Sequence, residues 1–201
     1  MDTKTNFTLK IVKHLLDNNF SVFLHNKEHL GGYGGWLEAD GEDKELSVAM
    51  KHHMGFEILL HEYCHFLQYK TDRSFWDSSN EHYDHLFDWA NDSSVLTEES
   101  LLNKSLETII KIEHDCEKRA LKIVELNPIE GFDVLKYKKA VNAYLWSYHI
   151  MRDIRQRPKK PIYTEDILNT MPDYFNPNAE FYLDKRNLSN ELRDSIMVGF
   201  V

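Results

Sequence analysis

The sequence predicts an α+β fold, mainly helical, with a small sheet or hairpin placed ahead of a helix that carries two histidines. Three observations predict it. Long stretches repeat apolar residues at intervals of three and four, as an amphipathic helix burying one face requires. Two short runs, 21–25 and 45–50, are rich in strand formers and bounded by turn residues. Between them stands Asp40-Gly41-Glu42-Asp43, a turn signal that folds neighbouring strands into a hairpin.

In chain order, Leu9, Val12, Leu15 and Leu16 give residues 6–18 a helical period that stops at Asn18-Asn19. Ser21-Val22-Phe23-Leu24-His25 then reads as a strand. Gly31-Gly32-Tyr33-Gly34-Gly35-Trp36 follows, and four glycines in six residues are too permissive for a regular element on their own. Either they merely allow a tight loop, or they lead into the short sheet that follows. Trp36-Leu37-Glu38-Ala39 and Glu45-Leu46-Ser47-Val48-Ala49-Met50 are the arms of the expected hairpin. From Met54 to Tyr69 the residues are helix formers and apolar side chains without a proline, so a core-facing helix is predicted there.

Residues 71–94 hold Phe75-Trp76 and Glu81-His82-Tyr83-Asp84-His85, which read as a short helix packing an aromatic face. His82 and His85 with their acidic neighbours admit a second metal site as the rival account. Thr97 reads as the N-cap of a long helix to Leu126, with Glu98 and Glu99 placing negative charge on the first turn. Its apolar stripe runs through Leu102, Leu106, Ile109, Cys116, Ala120 and Val124. After Asn127-Pro128 and Gly131 a third long helix is predicted from Asp133 to Ile154, with Tyr137, Val141, Tyr144 and Tyr148 on one face. The basic cluster Arg152, Arg155, Arg157, Lys159 and Lys160 reads as a solvated turn. The remainder, 155–201, is expected to be irregular with short helices, and residues 1–201 to form a single domain.

The chemistry concentrates in His61-Glu62-Tyr63-Cys64-His65. Two imidazoles four positions apart on a helix point the same way and can share one ion, and the acid beside the first is placed to deprotonate a water. A catalytic zinc takes three protein ligands and leaves one position open, so a third donor must come from elsewhere. Glu113 falls on the apolar stripe of the 97–126 helix, where a carboxylate is costly unless it is paired or bound to a metal. It is the chosen third ligand. Cys64 and Cys116 each follow a proposed ligand by three residues, which keeps both thiols on the metal-facing side. They can bridge, compete for the ion, or simply fill a tight helix crossing.

His61-Glu62-Tyr63-Cys64-His65 followed by Glu113-His114-Asp115-Cys116-Glu117 resembles the gluzincin branch of the zinc metallopeptidases, where HExxH is completed by a glutamate from a later helix. Members commonly place a small residue three positions after that glutamate and an acid four positions after it; Cys116 and Glu117 fill those places. The resemblance covers two helical segments, separated by residues 66–112. It implies a zincin-like fold, His61, His65 and Glu113 as ligands of one zinc ion, and Glu62 as catalytic base. Glu117 then accepts a hydrogen bond from a ligating imidazole, which fixes tautomer and ring orientation. Zincins also place a Tyr or His near the metal to stabilise the oxyanion, and Tyr148 or His149 is the candidate. The expected reaction is amide hydrolysis: zinc acidifies a water to about pKa 7, and Glu62 takes its proton and passes it to the leaving amine.

At 201 residues and 42% hydrophobic composition the chain can bury one good core. A net charge of -9 argues against general nucleic-acid binding, which needs a basic face. Neither a membrane-spanning run nor a signal sequence is read, so a cytoplasmic protein acting on a peptide or protein substrate is expected. Two further readings use the same ligands: a zinc-binding regulatory or interaction module without general peptidase activity, and a peptidase dedicated to one partner protein such as a repressor.

Overall fold

Asp2 accepts a hydrogen bond from the Thr5 backbone N–H at 2.7 Å and so caps the first helix, α1 (Thr3–Leu16). The computed structural model describes residues 2–31, 33–92 and 94–201; Gly32, one of the four clustered glycines, lies outside the described residues. The chain folds as two compact units, the first Met1–Arg73 with Arg119–Phe132 and the second Ser74–Lys118 with Asp133–Val201. No helix among the described residues is long and apolar enough to cross a membrane.

In the first unit three strands, β1 (Ser21–His25), β2 (Gly35–Glu38) and β3 (Glu45–Ala49), form one sheet in the order β1-β3-β2. The expected hairpin is present: β2 runs antiparallel to β3, with Gly35 opposite Val48 and Glu38 opposite Glu45. The other pairing is one the sequence does not announce. β1 lies parallel to β3, Ser21 opposite Glu45 and His25 opposite Ala49. The sheet leans on α2 (Gly55–Thr71), the predicted histidine helix, and the glycines permit it. A Cβ on Gly35 would stand 2.9 Å from the Ser47 carbonyl and 2.8 Å from Ile58 Cγ2 of α2. Close approach, more than loop flexibility, explains this glycine.

Three more contacts orient α2. Tyr63 and His14 of α1 share a hydrogen bond of 2.8 Å, Phe66 meets Phe20 edge-to-face at 5.1 Å, and Lys44 donates to the Tyr69 hydroxyl at 2.7 Å. Leu59, Leu60, Cys64 and Phe66 are fully buried. Burial of each of the two leucines and the phenylalanine contributes about 1.5–3 kcal/mol, enough together to hold a helix whose polar residues are turned inward.

The second unit begins with α3 (Arg73–Asn91), a 19-residue helix where the sequence predicts only a short one. Trp76, Ser79, His82, Leu86 and Ala90 make its buried face, and His82 meets the Ser105 hydroxyl at 3.0 Å. Next is α4 (Glu99–Leu126), whose residues to Lys118 belong to this unit. Its first backbone bond runs from Leu102 N–H to the Glu98 carbonyl at 2.9 Å, so Thr97 lies ahead of the helix and is not its N-cap. The predicted stripe Leu102, Leu106, Ile109, Cys116, Ala120 and Val124 is buried throughout.

Asp133 caps α5 (Val134–Ile154) by accepting from Lys136 N–H at 2.9 Å, and Arg155 ends it in the left-handed region at φ 54°. The basic cluster after α5 is not a merely solvated turn. The Arg155 guanidinium lies 4.0 Å over the Trp89 ring and donates to the carbonyls of Trp89, Asp92 and Val95. Such a planar fork satisfies several carbonyls at once. The tail forms α6 (Glu165–Thr170), α7 (Glu180–Leu183) and α8 (Asn190–Met197), the last two where the sequence expects short helices.

Candidate metal centre

One turn of α2 separates His61 from His65, and their Nε2 atoms converge to 3.0 Å with the rings nearly perpendicular. Two nitrogens bound to one tetrahedral zinc at about 2.0–2.1 Å lie about 3.3 Å apart, so the pair is spaced for a shared ion. The tautomer of His65 follows from its other nitrogen. Nδ1 stands 2.8 Å from Oε1 of the buried Gln68, an acceptor, and therefore carries the proton. Nε2 is then the nitrogen with the lone pair. Glu62, beside His61 on the helix, is buried as well.

The first unit offers the His61 and His65 imidazoles as metal donors, and the second offers the Cys116 thiol. Imidazole nitrogen and thiolate sulfur are ordinary zinc donors, so the chemistry of the set suits that ion. Cys116 is a buried free thiol, as is Cys64.

Glu113 lies three residues before Cys116 on α4 and is 2% exposed. Its Oε1 accepts hydrogen bonds from the Tyr83 hydroxyl of α3 and from the Tyr148 hydroxyl of α5, the latter at 3.2 Å. Tyr144 lies one turn before Tyr148 with its hydroxyl 2.6 Å away. Tyr148 spends its single proton on Glu113, so Tyr144 donates to Tyr148. Burial pushes the Tyr83, Tyr144 and Tyr148 hydroxyls well above the usual tyrosine range, and the Glu113 carboxylate pushes each further. All three remain protonated donors at neutral pH.

The remaining predicted site residues have structural partners. Glu117 is buried and accepts from the Tyr137 hydroxyl at 2.5 Å. His149 turns its Nε2 to the Tyr182 carbonyl at 2.7 Å, while its neighbour Tyr148 faces Glu113. His82 and His85 lie with ring centres 6.1 Å apart, and His82 is engaged by Ser105.

Sequence reasoning missed Gln68, Tyr83 and the role of Tyr144. For Gln68 a signal existed: it stands three residues after His65, the spacing at which helical side chains meet. For Tyr83 none did, because its partner lies thirty residues on and depends on how α3 meets α4. No family model, no curated protein and no solved structure matches the chain.

Proposed function

We propose that the protein is a zinc-dependent peptidase of zincin-like fold that works in the cytosol on a peptide or protein substrate. The observation that carries the reading is the convergent pair of imidazoles on α2, with His65 set in the ligating tautomer by Gln68. Glu62 next to the pair is the second support, since a purely structural site has no use for an acid there. His61 and His65 are the first two ligands. α4 supplies the third, Glu113 as the gluzincin resemblance implies, with the Cys116 thiol one turn further along the same helix.

His61, His65 and the α4 donor would hold a zinc ion, which would supply Lewis acidity toward a bound water and the scissile carbonyl. Glu62 takes the proton of the attacking water and returns it to the departing amine. The antiparallel edge strand β2 offers backbone groups on which an extended substrate can add as a further strand. Tyr148 does not serve as the oxyanion donor in this reading, because its proton is already given to Glu113.

The buried Cys116 thiol, three residues after Glu113 on α4, favours one second reading, a zinc-binding regulatory module without turnover. A soft thiolate holds zinc firmly and is the donor on which structural zinc sites chiefly rely. One variant separates the two. Glu62→Gln is expected to keep stoichiometric zinc and lose chelator-reversible peptide cleavage that the parent protein shows against a broad peptide library. A parent protein that binds zinc and cleaves nothing supports the module; a variant as active as its parent removes Glu62 from the mechanism.

A further inference from the structure

We infer that Tyr83 and Tyr148 are positioning residues that hold Glu113 in its ligating orientation, an inference that rests on the reading of Glu113 as a metal ligand. The two phenols reach the same carboxylate oxygen from two different helices, Tyr83 from α3 and Tyr148 from α5. A glutamate side chain on a helix has three rotatable bonds, and one hydrogen bond to an oxygen leaves the carboxylate free to rotate about that contact. Donors on two helices fix both the place of Oε1 and the plane of the group. Oε2 then has one direction to face.

Tyr144 completes the arrangement. Its proton goes to the Tyr148 oxygen, which leaves the Tyr148 proton pointing at Glu113 and polarises that bond. The chain Tyr144 to Tyr148 to Glu113 is thus directional, and Tyr83 closes it from the opposite helix.

The test uses the full-length protein and Zn2+ or Co2+ as the probe. Tyr83→Phe and Tyr148→Phe each remove one oxygen and keep the ring, and each is expected to weaken Zn2+ binding by about 10- to 100-fold in competition with a chelator, the usual effect of losing a group that orients a ligand. The visible bands of the Co2+-loaded protein are expected to shift in both variants, a change that a loss of packing alone does not produce. Circular dichroism checks that the helices remain, and should Tyr83→Phe not fold, Tyr148→Phe carries the test alone. If Glu113→Gln loses Zn2+ affinity while both phenylalanine variants bind as tightly as the parent with an unchanged Co2+ spectrum, the positioning inference is overturned and the ligand stands. If Glu113→Gln itself binds Zn2+ like the parent, the ligand assignment falls and this inference with it.

Discussion

His65 gives its Nδ1 proton to Gln68 Oε1 at 2.8 Å, and that bond decides which face of the imidazole can bind an ion. Gln68 is fully buried. Gln68→Leu, which removes the acceptor at similar volume, is expected to weaken Zn2+ affinity by about tenfold or more, measured by chelator competition. Gln68→Glu retains an acceptor and is expected to bind nearer to the parent value. Equal affinity in parent and Gln68→Leu would show that the tautomer is set by something else.

Gly35 and Gly34 both approach Ile58, but with different consequences. A Cβ on Gly35 meets the Ser47 backbone carbonyl, which cannot move without breaking the β2–β3 ladder. A Cβ on Gly34 meets chiefly the terminal methyl of Ile58, which can rotate away. Gly35→Ala is therefore expected to cost about 1–3 kcal/mol and Gly34→Ala less, read from urea unfolding midpoints. The reverse order would mean that β2 is free to shift away from α2.

His149 is expected to make the second unit sensitive to acid. Burial lowers its pKa below the ordinary 6.5, outweighing the Tyr182 carbonyl and Asp153, which favour the charged form. A group whose pKa is depressed on folding contributes stability that is fully present above the unfolded value. That stability is lost as pH falls through the folded value. The melting temperature is expected to decline from pH 7 toward pH 5. In His149→Gln, which keeps an N–H for the Tyr182 carbonyl without a titrating ring, the decline should be shallower; an identical slope rules His149 out as its source.

Much of this was legible in the chain. Ser21–His25 is a strand with the predicted bounds, and the helix read from Asp133 to Ile154 runs Val134–Ile154. These features are set by neighbours in sequence. The stripe on α4 was equally readable, because six apolar positions at helical spacing leave few ways to bury them. α3 escaped for a physical reason: Ser79 and His82 sit on its buried face, so counting apolar residues misses a helix whose inner side is partly polar. The parallel partnership of β1 with β3 was not readable either, since nothing local to Ser21–His25 names a partner beyond an intervening strand. At the candidate site the histidine pair was visible from spacing alone. The phenols around Glu113 were not, because side chains from three helices meet there and only packing brings them together.

The order of the sheet also leads to an expected sequence of assembly. β2 and β3 are joined by six residues, 39–44, and can zip from their own turn, whereas β1 must find β3 across a closed hairpin. Closure of the longer loop carries the larger entropic penalty and comes second. Ser21–His25 is accordingly expected to be the last strand to join the sheet.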